Sequence, residues 1–238
     1  MRNLTRARAG AVALALTAVS ICDIQSARAE DVPSNDVRIG MYAIFFHVTS
    51  NNITGPFIPS GVNLNVDLKD TQTLYLAYIR RLNSFLDLEF AFGIPPKTTT
   101  IGKGSATVGS VPFNGQEIAT AKWLSPSVLL EYKFLSESSA FRPYVGVGVN
   151  YTTFYDRQVT PAGQQAIGGP TRLSLTSSVG PVAIAGIKYW SSTHWHVALL
   201  YSIGQVDSDL KAETAGEVHT ARVHFGPQAL VIAGGYSF

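Results

Sequence analysis

Apolar and polar residues alternate along much of the chain with a period of two. The segment Val145–Tyr151 places three valines and a tyrosine at every second position, with two glycines and an asparagine between them. Because successive side chains of a β-strand point to opposite faces, this pattern predicts a strand with one wholly apolar face. The same alternation occurs in segments 85–93, 128–134 and 195–203.

Four further segments complete a predicted set of eight strands. They are 37–48, 71–82, whose phase is ambiguous, 179–190, and 219–238, which ends the chain. The connections after the second, fourth and sixth strands are short. The others are long and rich in Gly, Pro, Ser, Thr and Asn, which favours loops. These long connections are residues 49–70, 94–121, 156–176 and 208–218.

The low charge of the chain points to a membrane. Only 14% of the residues are charged, against about 25% in an ordinary soluble domain. After the first 29 residues the sequence contains no apolar run near the roughly 18–20 residues that a membrane helix needs. A closed β-barrel is the other structure that satisfies its backbone in lipid. The sequence therefore predicts an all-β fold, an eight-stranded antiparallel transmembrane β-barrel of up-and-down topology.

The first 29 residues have the pattern of a secretory signal peptide. Basic residues at the start precede an apolar stretch at 9–21, and Ala27-Arg28-Ala29 is a small-x-small cleavage site. We predict that residues 1–29 are cleaved and that residues 30–238 form the barrel domain. Cys22, the only cysteine, could indicate a lipoprotein anchor instead, but Ile21 before it is larger than that chemistry prefers.

Removal of the signal changes the charge balance. The full chain carries a formal net charge of +2, but the signal contains four arginines and one aspartate, which leaves 14 basic and 15 acidic residues and a net charge of −1. This balance argues against nucleic acid as a partner. Alternating short turns and long loops are typical of an outer-membrane barrel with both termini in the periplasm. We expect the chain to lie in the outer membrane of a Gram-negative bacterium, in contact with its lipid.

Aromatic residues support this orientation. Trp190 and Trp195 flank a short turn, where an interfacial girdle belongs. The last strand carries apolar residues on one face and ends in phenylalanine, which is the signal that the outer-membrane insertion machinery typically recognises. An ordinary soluble strand that ends in phenylalanine is the alternative. The residues of the predicted insertion signal are Leu230, Ile232, Tyr236 and Phe238.

Three segments carry a family resemblance. Glu117-Ile118-Ala119-Thr120 leads into Leu124-Ser125-Pro126-Ser127, Phe141–Phe154 has the sequence FRPYVGVGVNYTTF, and the chain ends in AGGYSF. These segments resemble the OmpW family of small outer-membrane barrels. The resemblance covers the second half of the mature chain well and the first two strands in pattern only. It implies an eight-stranded barrel with a narrow lumen that passes small hydrophobic molecules, without catalysis and without a cofactor.

Charged residues on the inner faces of the strands indicate a closed lumen. An eight-stranded barrel is just wide enough for its side chains to fill it. Buried charges must then be paired, since an unpaired one costs several kcal/mol. We interpret them as a plug, with guidance of a polar solute as the alternative. The predicted lumen charge network comprises Arg38, Arg81, Asp87, Glu89, Glu131, Lys133 and Lys188.

Three prolines suggest where a hydrophobic solute could leave the barrel sideways. Pro126, Pro181 and Pro227 fall in the extracellular halves of the fourth, sixth and eighth predicted strands. Because proline cannot donate to the hydrogen-bond ladder, it weakens the wall locally. We therefore hypothesise a lateral opening beside one of them, with Pro126 and Pro227 favoured. The alternative is that these prolines only mark bulges or strand ends.

Other functions remain open at this stage. Long loops could instead make the chain a non-transporting surface barrel that binds phage, bacteriocin or host ligands. His194 and His196 could form half of a metal site, and His47, His219 or His224 with Ser60 or Ser174 could serve a lipid-modifying enzyme. No third metal ligand and no nucleophile motif accompanies them. We therefore expect no enzyme, no metal and no cofactor, and a monomer by default.

Overall fold

The computed structural model describes residues 33–56, 58, 63–108 and 111–238. The predicted signal peptide, with Cys22, lies outside the described residues. Within them the chain forms seventeen strands and one short helix. No helix in this part of the chain is long and apolar enough to cross a membrane.

Eight of the strands close into an antiparallel barrel. Each pairs with the next along the series and the last pairs with the first, which removes every edge. The prediction of an eight-stranded barrel is confirmed. The barrel strands are β1 (Asn35–Phe46), β4 (Thr71–Arg81), β5 (Leu86–Gly93), β10 (Ser127–Lys133), β11 (Phe141–Val159), β13 (Ser178–Trp190), β14 (Trp195–Gly204) and β17 (Pro227–Ser237).

The predicted alternation decides which side chains face outwards. Val145, Val147 and Val149 on β11 are exposed, as is the odd-numbered set Trp195–Ile203 on β14. The phase of β4, ambiguous in the sequence, is settled by Leu74 outside and Tyr75, Ala77 and Ile79 inside. The outer surface of the barrel is therefore a continuous apolar band, as lipid requires.

The predicted long loops are mostly folded, contrary to expectation. They contain further strands that extend one end of the barrel beyond the apolar band. β11 alone has 19 residues, whereas a membrane strand needs about 9–11 residues. At roughly 3.3 Å per residue, β11 is about 60 Å long. These elements are β2 (Thr49–Ser50), β3 (Leu64–Leu68), β6 (Lys97–Gly104), β7 (Thr107–Val108), β8 (Val111–Pro112), β9 (Glu117–Leu124), α1 (Pro161–Ile167), β12 (Thr171–Leu175), β15 (Asp207–Thr214) and β16 (Glu217–His224).

Two sheets build this extension. One continues from β11 through β9 and β6 to β3, and the other has the order β12, β15, β16, β2. The eighth barrel strand therefore starts at Pro227 and not at His219, because residues 217–224 belong to the second sheet. Gly226, with φ of 45°, makes the bend between them. Residues 98–100, expected in a loop, lie in β6.

Candidate functional site

A cluster of buried ion pairs fills the barrel near the end with the short turns. Arg38 of β1 contacts Glu89 of β5 at 3.0 Å and Glu131 of β10 at 3.4 Å. Lys188 of β13 contacts Glu131 at 3.0 Å and Asp87 at 3.3 Å, and Lys133 also pairs with Asp87. Glu131 thus links Arg38 to Lys188, and the cluster joins four strands of the wall.

Aromatic side chains complete the cluster. The Tyr75 hydroxyl donates to Glu89 at 2.8 Å. The ring of Tyr144 lies 4.8 Å from the Lys188 ammonium and 5.6 Å from the Arg38 guanidinium, within reach of a cation–π interaction. A Cβ on Gly186 would lie 2.7 Å from the Tyr144 ring, so this glycine leaves the space that the ring occupies.

Six of the seven residues predicted for the lumen charge network meet in this cluster. The exception is Arg81, the last residue of β4, which pairs with Glu137 in the turn between β10 and β11. A long side chain at a strand end can reach the turn, which the inner-face pattern did not reveal. Asp36, which the sequence reasoning missed, contacts Arg38 at 3.4 Å. Asp36 is two residues from Arg38 on β1, so its side chain points inwards as well. The alternation of apolar and polar residues could therefore have predicted it.

An apolar chamber of about 480 Å³ lies above this cluster, inside the extension. This volume is within the range of small-molecule pockets, about 300–1,000 Å³. Its walls come from the barrel mouth and from both sheets of the extension. Sequence reasoning missed the chamber, because its walls lie in segments predicted as loops. Its aromatic and aliphatic lining residues include Tyr42, Phe46, Leu64, Phe113, Trp123, Phe154, Leu173 and Phe225.

The wall is interrupted beside the chamber. Pairing of β5 with β10 ends at Ala91 and Ser127, and pairing of β6 with β9 begins at Lys97 and Lys122. In between, no backbone hydrogen bond joins residues 92–96 to residues 123–126, all of which are described. We call this interval the wall gap.

Both sides of the wall gap keep their other neighbours. The Ile94 amide donates to the Leu74 carbonyl at 3.1 Å, and the Tyr151 amide donates to the Pro126 carbonyl at 3.0 Å. Trp123 lines the chamber at the gap, whereas Ile94 is exposed on the lipid side. The gap is therefore a local break in the backbone hydrogen-bond ladder between two otherwise intact hairpins.

Only one of the three prolines singled out in the sequence lies at the wall gap. Pro126 directly precedes β10, together with Pro95 and Pro96 on the opposite side. Pro181 lies inside β13, where it pairs with β11 and its carbonyl accepts from Gln205 at 3.1 Å. Pro227 is the first residue of β17 and is paired with β1. Pro126 and Pro227 therefore mark strand starts and not strand interiors.

The tryptophans differ in position. Trp195 is exposed on the lipid side, 4.9 Å from the ring of Tyr236. Trp190 instead has the inward phase of Lys188, and its ring lies 4.5 Å from the buried His196 ring. Trp190 therefore lies off the outer surface on which a girdle would form, whereas Trp195 lies on it. The four insertion-signal residues lie on the outward face of the C-terminal strand.

The histidines do not assemble into a reactive site. His194 stacks on Tyr236, whereas His196 is buried in the lumen with Nε2 3.4 Å from Asp36. The two imidazoles do not lie on one face of a strand, as two metal ligands would, because His194 precedes β14 in the turn. His224 pairs with Asp207 at 2.6 Å, and no described serine is hydrogen-bonded to His219 or His224. Ser60 lies outside the described residues. Across residues 33–56, 58, 63–108 and 111–238, no group of three or more His, Cys, Asp or Glu side chains could hold a metal.

A closed eight-stranded barrel with an apolar outer band and a plugged, charged lumen defines a small outer-membrane β-barrel. A model described as "OmpW family" matches residues 37–238. The chain belongs to the OmpW family, as the sequence resemblance indicated, and its location is the outer membrane of a Gram-negative bacterium.

Individual relatives agree with this assignment. Outer membrane protein W of Vibrio cholerae is 28% identical over 202 residues, which cover 85% of this chain and 87% of the relative. Outer membrane protein W of Escherichia coli is 33% identical over 122 residues, 51% of this chain and 57% of the relative.

Solved structures share the fold. OprG from Pseudomonas aeruginosa has a TM-score of 0.76 and 22% identity, and the match covers 87% of this chain and 96% of OprG. The outer membrane protein AlkL in lipid bilayers has a TM-score of 0.59 and 17% identity, with 92% of this chain and 97% of AlkL covered.

Proposed function

We propose that this protein is a passive channel for small hydrophobic molecules, which enter the chamber from outside and leave through the wall gap into the bilayer. The observation that carries the proposal is an apolar chamber that is closed below by ion pairs and bordered at the side by the wall gap. The protein acts as a monomer, and no reaction is involved, so uptake follows the concentration gradient.

The ion cluster supports a sideways route. Passage straight through the barrel would require separating Arg38 and Lys188 from Glu131, all of them buried. Breaking a buried pair costs about 3–5 kcal/mol. A hydrophobic solute offers no compensating interaction to these charges, so the route to the periplasm through the lumen is closed to it.

The wall gap supports an exit into lipid. Elsewhere in the barrel, widening the wall means breaking backbone hydrogen bonds, which are costly to lose in lipid. In the gap those bonds are already absent, and prolines on both sides supply no donor for them. Among the three candidate prolines, only Pro126 borders the gap. Pro181 and Pro227 are assigned no part in the exit, because the ladders beside them are intact.

Uptake by cells tests the proposal. Gram-negative cells that lack their own protein of this family would express the wild type or no protein, and uptake of a labelled small hydrocarbon would be compared with that of a sugar of similar mass. We expect faster uptake of the hydrocarbon alone. Faster uptake of both would mean an open polar pore. If the protein accelerates uptake of neither the hydrocarbon nor the sugar, a surface barrel that binds phage, bacteriocin or host ligands would be favoured.

A matched pair of variants tests whether the solute passes through the chamber. Ala212 lines the chamber, and the neighbouring Lys211 on β15 points outwards. Ala212→Trp should occupy part of the chamber and slow hydrocarbon uptake, whereas Lys211→Trp should leave uptake unchanged. Equal uptake by both variants would show that the solute does not pass through the chamber.

A further inference from the structure

The lower part of the chamber is not wholly apolar. Hydroxyl and amide side chains line it beside the apolar Val182, and they continue to the wall gap. We call these residues the polar lip. They are Thr98, Ser125, Ser127, Asn150, Thr152 and Ser202.

Several hydrogen bonds made by the polar lip are long. Ser125 and Thr152 share a hydrogen bond of 2.7 Å, but Thr152 donates to Asn150 at 3.3 Å. The Asn150 amide reaches two backbone carbonyls only at 3.4 and 3.5 Å. Ser127 makes no hydrogen bond to any side chain in the part of the chain that the structure describes. Since O–H···O hydrogen bonds are about 2.5–3.0 Å long and N–H···O bonds about 2.7–3.2 Å, these groups keep capacity for another partner.

The polar lip carries no charge. The chamber lining includes a single ionisable carboxylate, Glu217, and one histidine, His219, and both belong to β16, away from the barrel strands that carry most of the lip. A carboxylate or ammonium group on a solute would therefore lose its water at the lip without gaining a counter-ion. A neutral hydroxyl or carbonyl group would exchange water for these side chains.

From these contacts we infer that the preferred solutes are monofunctional: an apolar body with one neutral hydrogen-bonding group, such as a medium-chain alcohol, ketone or ester. The apolar body occupies the chamber, and the polar group forms hydrogen bonds with successive side chains of the polar lip as the solute moves to the wall gap. This inference rests on the proposed channel function and narrows its substrate class. Unsubstituted hydrocarbons enter the same chamber but bind less tightly.

Tryptophan fluorescence in purified full-length protein provides the test. The chain contains three tryptophans, and Trp123 lines the chamber with its indole nitrogen donating to Thr98 at 2.7 Å. In the Trp190→Phe/Trp195→Phe background it is the sole tryptophan, and brominated ligands that occupy the chamber quench it. The probes are 6-bromohexanol, 1-bromohexane and 6-bromohexanoate, each corrected for its partition into the detergent.

We expect 6-bromohexanol to bind about 5-fold more tightly than 1-bromohexane, which is what one neutral hydrogen bond of about 1 kcal/mol provides. The carboxylate should not give saturable quenching. Thr152→Val should abolish the preference without weakening 1-bromohexane. Thr153→Val is the matched control, since Thr153 follows on the same strand with the opposite phase. Ser127→Ala, which removes no existing side-chain hydrogen bond, provides a second lip variant should Thr152→Val fold poorly.

The outcomes separate the two proposals. Saturable quenching by the alcohol and the hydrocarbon with equal affinity, unchanged by either lip variant, would overturn the inference and leave the channel proposal standing. Tight binding of the carboxylate would also overturn it. Quenching by none of the probes would mean that the chamber does not accept such solutes, and the proposed function would fail with it.

Discussion

Replacing Glu131 by glutamine removes the charge that links the two halves of the buried cluster. Its side chain is fully buried and contacts both Arg38 and Lys188. The substitution keeps the shape but leaves two buried cations with one carboxylate fewer. Because removal of one partner of a buried pair costs about 3–5 kcal/mol, we expect the free energy of unfolding to fall by that amount.

The assay is reversible urea unfolding of the protein in lipid vesicles, followed by fluorescence. Glu117→Gln is the control, because Glu117 pairs with Lys69 on the surface with both side chains more than half exposed. An exposed pair contributes about 0–1 kcal/mol. If Glu131→Gln costs no more than this control, the cluster is not the buried, interdependent network described above.

A double variant measures the coupling between Glu131 and Lys188. Glu131→Gln/Lys188→Gln removes one charge of each sign. Arg38 then keeps Glu89, and Asp87 keeps Lys133. The double variant should therefore be less destabilised than the sum of the single variants, by a coupling energy of about 0.5–3 kcal/mol. Strict additivity would contradict a direct Glu131–Lys188 interaction.

Three further predictions concern the fold and its assembly. A Cβ on Gly148 would lie 1.9 Å from the Val128 carbonyl oxygen, so Gly148→Val should abolish the compact band in unheated gel electrophoresis, whereas Gly234→Ala, with no heavy atom within 4 Å, should retain it. Phe238→Ala should reduce the amount of protein in the outer-membrane fraction several-fold, and an unchanged amount would exclude the terminal phenylalanine from the insertion signal. Mass spectrometry of the protein isolated from that fraction should give Glu30 as the first residue, and a lipid-modified Cys22 would instead show an anchor.

The barrel was predictable because lipid imposes a simple pattern. Every second residue of a membrane strand must be apolar, so β10 and β14 could be located with their correct phases. The same alternation predicted that the side chains of Glu131 and Lys188 point into the lumen. It could not show that Arg81 pairs with Glu137 and not with a carboxylate of the cluster, since the reach of a side chain at a strand end depends on the neighbouring turn.

The extension and the chamber could not be predicted by the same argument. Above the membrane the outer face is in water, so β6 has no apolar stripe that distinguishes it from a loop. In β12 only Leu173 and Leu175 alternate with polar residues, and a strand of five residues is too short to stand out. The chamber forms only when two sheets and the barrel mouth meet, and its lining comes from residues far apart in sequence, such as Phe46, Trp123 and Phe225. The wall gap likewise follows from the pairing of four strands and not from Pro126 alone.

The most direct test of sideways exit is to tie the wall gap closed. Residues 30–238 contain no cysteine, so the pair Ile94→Cys/Leu124→Cys can be joined by a short bis-maleimide across the gap, on its lipid side. Ala183→Cys/Ile203→Cys, on directly paired residues of β13 and β14, is the control in a continuous part of the wall. Cross-linking should stop uptake of the small hydrophobic solute in the first protein and leave it unchanged in the second. Undiminished uptake after complete cross-linking at the gap would contradict lateral exit at this site.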